Sequence, residues 1–178
     1  MNVEFPLSPS IPVSQSRRPV GGSVSLHPRH LLTPRRLDLA VKWRFFRHLL
    51  GGADPDSERV YRWHIDQRSG TRMHIGLPTD QWKRSIDDYI IAAGALLASM
   101  QDNGFDPTEP VPIDPVGELL GGAHRLACAL ALDVNVHAQM WNYTAWAPAW
   151  DYAWFVDSGM AEPDLLRLRS DWLEMKHG

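Results

Sequence analysis

The run Pro110-Val111-Pro112-Ile113-Asp114-Pro115-Val116-Gly117-Glu118-Leu119-Leu120-Gly121-Gly122-Ala123-His124-Arg125-Leu126-Ala127-Cys128-Ala129-Leu130-Ala131-Leu132 decides the fold class. Pro110 to Ile113 is short and apolar, and Asp114-Pro115-Val116-Gly117 has turn chemistry, so Glu118 to Leu120 can return as the second strand of a hairpin. Two glycines follow. Ala123 to Leu132 combines high helix propensity with apolar residues on every side, which predicts a buried helix rather than a surface one.

Working outward, Val134 to Trp141 alternates well enough for another strand. Upstream, Thr79 or Asp80 reads as an N-cap for a long helix from about Gln81 to Gln101. Trp82, Ile86, Tyr89, Ile90, Ala93, Leu97 and Met100 make its apolar stripe, and Asn103-Gly104 stops it. Asp38 to Leu50 is a second helix, with Leu39, Trp43, Phe46 and Leu50 at helical spacing and Gly51-Gly52 at its end. Its basic residues Lys42, Arg44, Arg47 and His48 read as a solvated face. Asp54 to Asp66 continues helical, Gln67 to Pro78 reads as a loop or short strand pair, and Pro163 to Lys176 forms a final helix. The prediction is an α+β fold: a small mixed sheet flanked by helices. Residues 1–22, rich in Pro, Ser and Val, form an extended arm. Residues 23–178 form a single domain with a helical N-terminal part and an aromatic-rich helical C-terminal extension.

A strand leading through two glycines into a helix places unpaired backbone N–H groups and the positive end of a helix dipole at one point. Glycine lets a ligand come close to the backbone there. Arg125 brings a planar fork suited to phosphate oxygens and His124 a further donor, so Gly121, Gly122, Ala123, His124 and Arg125 are the candidate phosphate cradle. A tight turn followed by a solvated His-Arg pair is the plainer alternative.

Composition bounds the partners. A net charge of -3 is a poor match for a general polyanion binder, so nucleic acid is not expected. One cysteine, Cys128, excludes an intramolecular disulfide and a thiolate zinc cluster, and its apolar neighbours make it a core residue. No apolar run approaches a membrane span and the first residues lack the apolar core of a secretory signal, so a cytoplasmic location without a membrane partner is expected. A homodimer is left open.

Other candidates are single residues. His64 and Asp66 are two apart and do not share a helix face, so His64 is read as a structural hydrogen-bonding residue or as an acid/base group. His64, His74 and His124 could meet only in three dimensions. Asp87 follows Arg84 by three residues, which suggests an exposed ion pair. Asp114 and Glu118 bracket the turn before the cradle. Asp114 is the first choice for a magnesium-bound or catalytic carboxylate and Glu118 the second. The rings from Trp141 to Phe155 are core, or the wall of a sugar or base pocket.

The stretch from about 80 to 141 resembles the ParB/sulfiredoxin superfamily through Ser99-Met100, Gly104, Pro112-Ile113-Asp114, Gly117, Leu119-Leu120, Gly122, His124-Arg125, Leu126-Ala127 and Ala129-Leu130. It is also similar to ParB-like proteins found among bacterial surface-polysaccharide genes, through Tyr61-Arg62-Trp63-His64-Ile65, Gly104-Phe105-Asp106, Pro112-Ile113-Asp114 and Gly121-Gly122-Ala123-His124-Arg125. The resemblance implies a sheet of ParB/sulfiredoxin type and a loop that binds nucleotide phosphates, with ATP or another nucleoside di- or triphosphate and Mg²⁺ as cofactors. It further implies a phosphotransferase acting on a hydroxyl of a sugar or amino-acid-like metabolite. Alternatives are a binding module without catalysis, or a DNA-associated or nuclease relative. Ala123 stands where sulfiredoxin has its nucleophilic Cys, so sulfinic-acid reduction is not expected. Gly121 stands where the serine-kinase relatives have Asp, so binding is implied more directly than catalysis.

Overall fold

The computed structural model describes residues 17–70, 83, 85–144 and 149–178. Three short strands form one mixed sheet in the order β1-β3-β2: β1 is Val24–Leu26, β2 is Val111–Ile113 and the central β3 is Val136–Met140. Val24 of β1 lies opposite Ala138 in an antiparallel pair, and Val111 of β2 lies opposite the same Ala138 in a parallel one. Parallel neighbours cannot be joined by a tight turn, and the crossover here is α4, Ala123–Leu132, with the bounds its apolar run implies. Leu126, Ala127, Cys128 and Ala129 of α4 are fully buried.

The remaining helices are α1 (Asp38–Leu49), α2 (Asp56–Gly70), α3 (Ile86–Asn103), α5 (Tyr152–Asp157) and α6 (Glu162–His177), with a 3-10 turn at Pro28–Leu31. The class is therefore α+β. No helix among the described residues is long and apolar enough to cross a membrane.

Helix α1 sits at the centre, packed against α2, α3, α4 and α6. Leu39, Ala40, Phe45 and Phe46 have no exposed surface, and each large apolar side chain so buried contributes about 1.5–3 kcal/mol. Enclosure on nearly all sides overturns one expectation: Lys42 is not on a solvated face but wholly buried. Its ammonium lies 2.6 Å from Asp38 Oδ2, one turn back, and Asp38 also accepts from Arg36 Nε at 2.8 Å and Nη2 at 3.0 Å. Burial would raise the Asp38 carboxyl, but the charges of Arg36 and Lys42 outweigh it and hold the group well below the usual carboxylate range. Burial also lowers Lys42, to about 8, despite Asp38.

Several boundaries differ from expectation. Helix α2 continues through Gln67 and Arg68 to Gly70, because polar residues without a breaker extend a helix whose other face is packed. Residues 71–78, expected to be a loop, and the cap candidates Thr79 and Asp80 with Trp82 lie outside the described residues. Helix α3 starts at Ile86, where Ser85 and Asp88 form a reciprocal capping box. Glu118 to Leu120 is not a strand: Leu119 makes one bridge with Ile113, and the turn is closed by Asp114 N–H to Glu118 O (2.8 Å) and Leu120 N–H to Pro112 O (2.9 Å). The described end of the arm lies along β3, with Val20 N–H donating to Met140 O at 2.8 Å. Strand β1 and helix α5 carry too few residues for a sequence period to show.

Removing one partner from a buried ion cluster strands the others. Asp38→Ala is therefore expected to cost about 3–5 kcal/mol in urea unfolding at neutral pH. Glu58→Ala, which breaks an exposed pair with Arg62, should cost less than about 1 kcal/mol. Equal small losses for both would show that the buried cluster does not hold α1 in place.

Candidate functional site

The loop from β2 to α4 is built by one carboxylate. Asp114 is fully buried and its Oδ1 accepts from the N–H groups of Val116 (3.0 Å) and Glu118 (2.8 Å), which folds the chain back so that Gly121-Gly122 reaches the start of α4. Gly122 has φ 74°, and a Cβ there would lie 3.0 Å from Val111 Cγ1 and 3.2 Å from Arg125 Nη2. No side chain caps α4, so its opening N–H groups have no intrahelical partner and the dipole is unanswered.

This terminus opens on a cleft of about 420 Å³. One wall is Gly121, Gly122, Ala123, His124 and Arg125, so the five cradle residues are brought together as expected. Arg36, Arg68, Lys83 and Trp150 also line the cleft, and Arg36 adjoins the glycine loop by donating to Leu119 O at 2.9 Å. Four cationic side chains thus meet two carboxylates, Asp38 and Glu109, in a chain whose total charge is negative. Asp38 is already matched by Arg36 and Lys42. Arg125 packs beside Gly122 and donates to Glu109 O, which draws part of its fork toward the cleft rim.

The candidate carboxylates are not in this cleft. Asp114 is committed to the turn, and Glu118 accepts from Thr33 Oγ1 at 2.8 Å. His64 is fully buried behind the cleft: its Nε2 is 3.2 Å from Lys42 Nζ, and its Nδ1 is buried without a hydrogen-bond partner. With the Lys42 ammonium donating to Nε2, the ring proton belongs on Nδ1. Among the described residues, no group of three or more His, Cys, Asp or Glu side chains could hold a metal ion. A Mg²⁺ ion that arrives on phosphates needs only one or two carboxylates, and Glu109 is the lining carboxylate not enclosed by cations. His74 and Arg84 lie outside the described residues, and Asp87 pairs with Arg62 at 2.7 Å. Cys128 is core, its thiol pushed by burial to about 12.

Sequence reasoning missed Arg36, Arg68, Lys83 and Glu109 as lining residues, and it had Tyr61 only within a resemblance. One signal was readable: Tyr61, His64 and Arg68 recur at three and four residues and so share one face of α2. Trp150, drawn from the aromatic segment, faces the guanidinium of Arg36 at 4.9 Å. Phe155 of the same segment is core.

The chain matches no family model, no curated protein and no solved structure.

Both site-side histidines are held neutral. Burial, then the charge of Lys42, keeps His64 well below its ordinary value; burial, then Lys42, Lys83 and Arg68, does the same to His124. The unfolded chain binds protons at these positions below about pH 6.5 while the folded one does not, so the stability they allow is complete above that pH and lost as pH falls. The urea midpoint should therefore drop between about pH 7 and 5, and His124→Gln should flatten that slope. A midpoint independent of pH across this window would contradict neutral His64 and His124 in the folded protein.

Proposed function

We propose that this chain binds the phosphate groups of a nucleotide or another phosphorylated metabolite in the cleft at the start of α4. The observation that carries the reading is the uncapped α4 terminus behind Gly121-Gly122, which shares one cleft with Arg36, Arg68 and Lys83. Backbone N–H groups would hold one set of phosphate oxygens and the cations of the cleft a second set, through charge-assisted hydrogen bonds. The resemblance to the ParB/sulfiredoxin superfamily points the same way, and names ATP or another nucleoside di- or triphosphate with Mg²⁺ as the ligands to try. Trp150 and Leu120 offer apolar surface for the rest of the ligand.

Phosphoryl transfer to a hydroxyl of a sugar or amino-acid-like compound is the second reading. Glu109 favours it, as a carboxylate at the rim beside Arg125 where an acceptor hydroxyl could be oriented. Asp114 and Glu118 do not support it, because each is occupied elsewhere.

Calorimetric titration and thermal shift with ATP, ADP, CTP, GTP and inorganic pyrophosphate, each with and without Mg²⁺, test both readings. At least one should stabilise the fold, by about 2.7 kcal/mol at a hundredfold excess over Kd. Arg68→Ala should weaken that ligand about tenfold or more. No response to any of the five ligands would remove the phosphate reading. Nucleotide consumption only on addition of a hydroxyl compound, abolished in Glu109→Gln, would promote the second.

A further inference from the structure

His124 holds a position in the cleft that depends on a residue from another helix. The hydroxyl of Tyr61 on α2 lies 2.8 Å from His124 Nε2. Tyr61 has no exposed surface, and its ring is stacked on Phe45 of α1 with centroids 4.2 Å apart and planes 12° from parallel. The hydroxyl is therefore carried by a ring with no room to swing. The imidazole meets Tyr61 edge-on at 5.9 Å and Tyr89 of α3, tilted by 33°, at 6.4 Å. The charged or titratable groups acting on it are Lys42 from α1, His64 and Arg68 from α2, and Lys83 ahead of α3.

With Nε2 engaged, the ring nitrogen left for a ligand is Nδ1. A phosphate oxygen accepts hydrogen bonds and is repelled by a lone pair, so the tautomer decides whether His124 attracts the ligand or opposes it. We infer that Tyr61 is a positioning residue for the cleft: its hydroxyl donates to His124 Nε2 and so keeps the imidazole proton on Nδ1, where it can be given to a ligand oxygen.

The arrangement gives one helix face a common task. Tyr61 orients His124, and three residues on His64 braces Lys42, which completes the Asp38 cluster at the cleft wall. Arg68, four residues further, lines the cleft itself. The inference rests on the phosphate reading for its purpose, but the tautomer can be read without any ligand.

Nitrogen-15 NMR of the histidine-labelled protein, with His124 assigned from the His124→Gln spectrum, should show a neutral ring protonated on Nδ1. In Tyr61→Phe, which keeps the ring on Phe45, both tautomers should appear. Titration with inorganic pyrophosphate should then show Tyr61→Phe about three- to tenfold weaker than the parent. Tyr61→Phe combined with His124→Ala should be no weaker than His124→Ala alone, because a residue acting through another has nothing left to act on. A proton on Nε2 in the parent, or losses that simply add in the double variant, would overturn the inference while leaving phosphate binding standing. A parent that ignores pyrophosphate removes this ligand, and the tautomer comparison alone then decides whether Tyr61 sets His124.

Discussion

The carboxylate of Asp38 is where the architecture and the cleft are tied together. It accepts two hydrogen bonds from Arg36 and one from Lys42, and all three side chains are buried. Taking such charges from water costs several kcal/mol per ion, so the cluster persists only because its members satisfy one another. Lys42 spends its three donors on Asp38 Oδ2, Asp38 O and His64 Nε2. Arg36 reaches further, donating to Leu119 O in the loop before α4 and lying over Trp150 beyond β3. One buried ion cluster thereby joins α1, α2, the glycine loop and the segment after the sheet. An apolar replacement of equal volume could pack as well, but it could not hold a carbonyl of the glycine loop and an indole ring at fixed places.

That cluster also holds one cation of the cleft in place beside the glycine loop. Arg36 is fixed by its bonds to Asp38 and Leu119 O, so its orientation does not depend on what enters the cleft. The glycine loop is fixed by Asp114, whose two backbone contacts shape the turn, and by Gly122, whose positive φ no L side chain adopts cheaply. The turn carries the chain back along β2, so Gly122 lies beside Val111 at the start of that strand and Arg125 reaches Glu109 just before it. Preorganisation of this kind reduces the ordering cost of binding, which matters more to affinity than the number of contacts.

The elements that could be read from sequence were those with a long period or strong punctuation. Helix α4 was legible because a glycine pair precedes a strongly apolar run of high helix propensity, and α1 to within one residue because Gly51-Gly52 follows it. Asp114-Pro115-Val116-Gly117 was legible as a turn for the same reason. The candidate cradle residues could be named because they are consecutive at a helix start. The cations that share the cleft could not. Arg36, Arg68 and Lys83 are single cations in separate segments, and nothing in their local spacing says that they meet. Lys42 was misread because an amphipathic helix and a wholly enclosed one share the same 3.6-residue period; only the partner at Asp38, one turn away, marks the difference.

Asp114 shows how chemistry and architecture compete for one carboxylate. A buried Asp beside a phosphate-type loop suggests a metal ligand or a base, yet both roles need oxygens directed at the ligand. Here Oδ1 is held by the N–H groups of Val116 and Glu118 and the side chain has no exposed surface. Freeing it for catalysis would release the turn that presents Gly121 and Gly122, so the loop would lose its shape in gaining a reactive group. The structure spends the carboxylate on the loop. The groups of the cleft that the turn does not need are the α4 backbone, the cations Arg36, Arg68, Lys83 and Arg125, Glu109 and the imidazole of His124, and it is to these that the proposed phosphate binding falls.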